Sequence, residues 1–468
     1  MIKEASMEEF TIENLARRIK QNVNIEFDIL QDEIAKYIWP RLGFIIGSKE
    51  QKTYFIFEES YIETEWKDMI SIHYLNTSYN VQSSVMRVHI FIRNEISNRG
   101  YVGFFTLRKI DEVSIMLSFI YPDWKKVKFF GKIPYVMTYP KKIHIEGREL
   151  VIDTYPLFAQ DNITVACSQA NIISMTKYLH NKFDMNTLRI CDLNSLFSVG
   201  KTKLFPTGGI NSQQMLEVFS NSGIPVYIKQ IGWNTEDERI RGERIYRQYI
   251  EYSVESGIPV MIGGYVQNND MTEKHVVQII GHAKQSRMQY IIYDDSGYFI
   301  KSICGKKRFV HGLDWTELYE KIGYKNSFIL FPLHEKVYLQ YDDIKDIFEL
   351  RCNESDKIRK LQHAGRLNIE DTRYLLVDNR IMKSFLQTLL HTDDLLDKEK
   401  EDINKSLSKN MPHYLWYCEI PLADEAGYMF FVADSTFWKK TTKDIFYING
   451  IYCKQQLSLL QYSVNSKN

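Results

Sequence analysis

Net charge is what this chain conspicuously lacks: lysine plus arginine and aspartate plus glutamate each number 59 among its 468 residues. Without a basic excess there is no electrostatic footprint for nucleic acid or for an anionic membrane surface, so neither is expected as a partner. A short basic run such as Lys306-Lys307-Arg308 reads as a solvated turn. Long apolar runs are missing as well, and no window approaches the ~18 residues of a membrane span. The opening stretch MIKEASMEEFTIENLARRIK interleaves acidic, basic and apolar side chains and has no continuous apolar segment of the kind that directs secretion. A soluble cytoplasmic protein is the expectation. The 6 cysteines are far apart, with no C-x-x-C pair and no Cys/His cluster at zinc-ligand spacing. Reduced thiols and no metal or organic cofactor are therefore expected. Internal repeats and low-complexity tracts are also lacking.

What is present is material for buried cores: 44% of residues are hydrophobic and 13% aromatic, and the length suggests about three domains. Residues 1 to about 45 carry Phe10, Ile12, Leu15 and Ile19, then Phe27, Leu30, Ile34 and Ile38, at helical spacing. From Thr53 the texture turns to β, with TYFIF, RVHIFI, YVGFFTL, VSIMLSF and KIHI broken by polar or glycine-containing turns. This predicts an α+β N-terminal domain over 1–152. Nothing in it reads as chemistry, since His73, His89 and His144 have no acidic or thiol partner nearby in the sequence.

The block 153–335 has more internal logic. A polar segment runs into an apolar helix at Cys167, followed by a Gly208-Gly209 turn and a helix capped by Asn211 or Ser212. Then come a strand in IPVYIK, a charged amphipathic helix from Glu238 to Ser256 ending at Gly257, and strands in IPVMIGG, HVVQIIG, YIIYD and SFILF. The remainder, 336–468, is mixed α/β: YDDIKDIFEL and RIMKSFLQTLL are helical in pattern, YLWYCEI and YMFFVAD are strands, and Asp393 to Asn410 is an exposed helix or surface loop.

A thiol is a nucleophile only as thiolate, and an ordinary cysteine with pKa ~8.5 is mostly protonated at neutral pH. Cys167 stands at a helix start, where unpaired amides and the positive end of the dipole favour an anion. A histidine must take its proton. His275 opens the strand HVVQII just after the polar loop YVQNNDMTEK, so it can face a cleft, whereas His282 lies at the far end of that strand. The next strand ends in Asp294-Asp295, either of which could orient the imidazole; Asp294 is favoured because it ends the apolar run directly. Each residue also has an ordinary reading: a small buried hydrophobe for Cys167, a structural histidine, a common turn for the two aspartates. Cys191, Cys304 and Cys418 read as packing residues.

Cysteine at a helix start, histidine opening an apolar strand that ends in Gly281, then an apolar strand ending in aspartate: over about 155–335 this order resembles the papain-like cysteine peptidases. Among these the chain is most similar to the bacteriocin-leader-processing peptidases. The resemblance implies a helix carrying the cysteine packed on an antiparallel sheet carrying histidine and aspartate. It also implies a Cys–His–Asp triad of Cys167, His275 and Asp294, and an oxyanion-hole glutamine upstream of the cysteine. The family's glutamine commonly stands six residues before the cysteine, whereas Gln160 stands seven before it. The donor is then Gln160 after a bulge, or Asn162. Hydrolysis of a peptide or isopeptide bond in a protein or peptide substrate is the expected function. The alternatives are acyl transfer to an amine, transglutaminase-like, by the same triad, and a catalytically inactive papain-fold interaction or toxin-type protein.

Overall fold

A computed structural model describes residues 7–39, 52–73, 81–108, 114–120, 135–161, 164–195, 209–268, 271–284, 288–305, 308–322, 326–367, 369, 372–392, 395–423, 427–436 and 445–453. The fold is α+β, and among the described residues every strand pairing is antiparallel. The chain forms two compact units, Met1–Arg244 with Ile258–Pro332, and Ile245–Gly257 with Leu333–Asn468. The division falls inside the helix Glu236–Glu255. No described helix is long and apolar enough to cross a membrane.

The first unit holds two sheets. One comprises β1 (Glu8–Glu9), β2 (Tyr54–Tyr61), β3 (Val85–Phe91), β4 (Tyr101–Leu107) and β5 (Ile115–Ile120), and is completed, after β6 (Tyr135–Val136), by β7 (Tyr139–Ile145) and β8 (Arg148–Phe158). Its order is β1-β2-β3-β4-β5-β8-β7. β3, β4 and β5 are buried along their whole length, which is why they read as mostly apolar and aromatic runs without alternation; β7 alternates, with Ile143 and Ile145 inward. Several polar groups caught in these strands pair with one another. Arg87 pairs with Glu58, and His89 meets the Tyr101 hydroxyl at 2.9 Å through Nδ1 and Glu58 at 3.3 Å through Nε2. This corrects the expectation that His89 has no acidic partner: Glu58 is remote along the chain but lies on the adjacent strand. His144 likewise faces Glu149 at 3.5 Å across the β7–β8 hairpin.

The second sheet consists of β9 (Val226–Gln230), β10 (Val260–Asn268), β11 (Met271–Lys284), β12 (Met288–Tyr293), β13 (Val310–Asp314) and β14 (Phe328–Pro332), in the order β13-β12-β11-β10-β14-β9, with β6 also pairing with β11. The stretch YVQNNDMTEK, expected as a loop, is mostly strand. β10 and β11 stay in register out to Asn268 and Met271, so His275 lies within a long hairpin and does not open its strand. Glu273 and Lys274 are both exposed there, and consecutive exposed residues break the alternation by which sequence reveals a strand. Asn269 and Asp270, Gly208 and Lys306-Lys307 lie outside the described residues.

In the second unit, β15 (Arg373–Asp378), β16 (Tyr414–Pro421), β17 (Tyr428–Asp434) and β18 (Phe446–Cys453) form one meander. The helices Asn379–Leu390 and Asp397–Leu407 bury Met382, Phe385, Leu386 and Ile403 in its core. The helical patterns in YDDIKDIFEL and RIMKSFLQTLL and the strands in YLWYCEI and YMFFVAD are all present.

Candidate functional site

The helix Cys167–Phe183 starts where it does for local reasons. Asp161 Oδ1 accepts the amides of Thr164 and Val165, each at 2.8 Å, and its Oδ2 accepts the Thr164 hydroxyl at 2.7 Å. That brings the polar segment round into the first turn. The N-cap is Ala166, which has no side-chain acceptor, so no side-chain cap covers the first helical amides. Gln169 reaches back to accept the Ala166 amide at 2.7 Å. Ser168 Oγ accepts the Ile210 amide at 3.0 Å, while Gly209, at φ +74°, comes so near that a β-carbon there would stand 3.2 Å from the same oxygen. Cys167 is thus partly exposed at the open end of a rigid helix that packs on β8 and β11.

From β11, His275 directs Nε2 to Asp294 Oδ1 at 3.0 Å. Asp294 follows the last residue of β12 and is fully buried. Its Oδ1 also accepts the Ser296 amide and hydroxyl, at 3.2 and 3.0 Å, and its Oδ2 accepts the Ile300 amide at 3.1 Å. Phe299 packs its ring 6.0 Å from the imidazole. Burial drives the His275 proton affinity down, but the bond to Asp294, the Cys167 thiol and the charges of both outweigh it, so the imidazole is held well above the usual histidine range. For Asp294, burial favours the neutral acid and is overcome by His275 and the backbone and serine donors, leaving the carboxyl below its ordinary value. Nε2 therefore donates to a carboxylate, and Nδ1 is the nitrogen left for the thiol.

No family model and no curated protein matches this chain.

The structure therefore brings Cys167, His275 and Asp294 together. Asp295 is buried beside them, and His275, Asp294 and Asp295 each offer a donor atom within 4.8 Å of the others. Strand alternation does not separate the two carboxylates, because β12 ends at Tyr293. A cation on these three groups would have to compete for Asp294 oxygens that already accept four hydrogen bonds. Gln160 lies two residues past β8 and is partly exposed; among the described residues it makes no hydrogen bond to the other three. Asn162 lies outside the described residues. Cys191 is a contrasting thiol: burial and Asp68 push it up to about 11.

Sequence reasoning missed the groups that join the two halves of the site. Asn171 Nδ2 donates to Cys167 O at 2.8 Å and to Val276 O at 3.0 Å. Gln278 donates to the Asn171 carbonyl and accepts the Tyr155 hydroxyl at 2.5 Å. The available signal was a polar residue one turn beyond the cysteine, among the several polar residues that this helix buries.

Proposed function

We propose that the protein is a thiol hydrolase with a papain-like core, cleaving a peptide or isopeptide bond through a covalent thioester. The observation that carries this reading is the chain of contacts from a helix-start cysteine, through His275, to a buried Asp294 carboxylate 3.0 Å from Nε2. His275 takes the thiol proton, and the Cys167 sulfur attacks the substrate carbonyl carbon. The tetrahedral oxyanion is met by the Cys167 amide, with Gln160 as the second donor to test, each worth about 3 kcal/mol when well placed. On collapse the C–N bond breaks and the amine leaves with the proton from His275. Water, deprotonated by the same imidazole, then hydrolyses the thioester and restores the thiol. Asp294 holds the ring and stabilises its charged form throughout.

The test is labelling by an electrophilic peptide-mimic probe, read by peptide mass spectrometry. Cys167 is expected to be modified in preference to Cys191 and Cys304, and labelling is expected to vanish in Cys167→Ala. Undiminished labelling of the variant overturns the proposal.

A further inference from the structure

We infer that Asn171 is a positioning residue that sets the geometry between the Cys167 thiol and the His275 imidazole; the inference rests on the thiol-hydrolase reading above. Cys167 and His275 stand on different elements, a helix and a strand, and proton transfer between them tolerates little misplacement. Asn171 is the side chain that ties the two together. It is fully buried, and its amide donates both to Cys167 O, one helical turn back, and to Val276 O, directly after His275. The second bond falls beyond the pairing with β12, which engages β11 only from Gln278 onward, while β10 still pairs with β11 at Val276. At Val276 the donor comes from Asn171. The backbone of Asn171 is held in turn by Gln278, itself bound by Tyr155, so the helix cannot slide along β11 without breaking several buried bonds.

Packing alone does not account for asparagine at this position. Its Oδ1 is buried with no hydrogen-bond donor among the described residues, a cost an apolar side chain of similar size would avoid. What asparagine supplies in exchange is two donated bonds, one to the backbone of the cysteine and one beside the histidine. Without them, the helix start and β11 are expected to relax apart by a few tenths of an ångström, and the thiolate loses its imidazolium partner.

The experiment measures the rate of Cys167 alkylation by iodoacetamide from pH 4 to 10 in the full-length chain, resolved by peptide mass spectrometry. Wild type, Asn171→Ala and Asn171→Asp are compared. Thr176→Val serves as a control, because it removes a buried hydrogen bond of the same helix well away from the thiol. Wild-type Cys167 is expected to be alkylated at least about tenfold faster at pH 6 than Cys191 and Cys304 of the same chain. In both Asn171 variants that rate at pH 6 is expected to fall about tenfold. Thr176→Val should lower the melting temperature and leave the profile in place. If Asn171→Ala does not fold, the isosteric Asn171→Asp carries the test. Asn171 variants that melt earlier but keep the wild-type profile overturn the inference and leave the hydrolase reading standing. A wild-type Cys167 that reacts at pH 6 no faster than Cys191 and Cys304 overturns both.

Discussion

His275 Nε2 lies 3.0 Å from Asp294 Oδ1, and this contact decides which imidazole nitrogen remains for Cys167. Asp294→Asn nearly preserves the shape of that acceptor but removes its charge and lets the ring adopt the other tautomer. On the proposed mechanism turnover of a thioester-forming substrate is expected to fall on the order of 10³- to 10⁴-fold. Steady-state kinetics checks this, and a loss of less than about tenfold would remove Asp294 from the role.

The same pair makes stability depend on pH in a defined direction. His275 is raised in the folded state, so its contribution is complete below the unfolded value of ~6.5 and disappears as pH climbs through the folded value. Asp294 is lowered, so its contribution is present above ~3.9 and disappears as pH drops through the folded value. The melting-temperature advantage of wild type over Asp294→Asn should be largest at mildly acidic pH and narrow toward alkaline pH. Thermal unfolding at pH 5, 7 and 9 measures it; a gap that widens with pH contradicts the assignment.

Gly264 stands directly opposite His275 in the β10–β11 register. A β-carbon there would come within 2.3 Å of Ile322 O and 2.4 Å of Ser327 Oγ. Gly264→Ala must therefore push β10 aside and is expected to cost about 1–3 kcal/mol in urea unfolding. Wild-type stability in that variant would mean the close approach is absent.

In the second unit, Arg373 lies between two carboxylates, 3.0 Å from Glu255 and 3.0 Å from Glu419, both nearly buried. Arg373→Met leaves two buried acids without their cation and is expected to cost about 3–5 kcal/mol. Adding Glu255→Gln and Glu419→Gln should recover part of that loss. A triple variant no more stable than the single one argues against charge as the cause.

Asp161→Ala removes the three hydrogen bonds that turn the chain into the Cys167 helix. Turnover is expected to fall at least about tenfold, because the first-turn amides lose their fixed direction, while the melting temperature changes little. Kinetics and melting on the same preparation separate the two effects.

Much of this architecture was readable from the sequence because it rests on short-range pattern. The helical spacing of Leu15 and Ile19, the alternation of Ile143 and Ile145, and the Asn211–Gln214 capping box are encoded within a few residues of where they act. The hairpin beyond His275 was not readable. Glu273 and Lys274 are consecutive and both exposed, so they break the period-two signal and resemble a loop. Asp294 and Asp295 are both buried beside His275, because strand alternation lapses once β12 ends at Tyr293.

Composition and short-range periodicity carry the α+β class, most of the elements, and the chain order of Cys167, His275 and Asp294 along a helix and two strands. Which side chains meet is settled by tertiary packing. It joined Glu58 to His89 across adjacent strands, Asn171 to Val276 between a helix and a strand edge, and Nε2 rather than Nδ1 to Asp294. The physical reason is range. Periodicity and capping follow from backbone geometry over one or two turns, whereas contacts between residues 19, 31 and 105 positions apart depend on how whole elements pack.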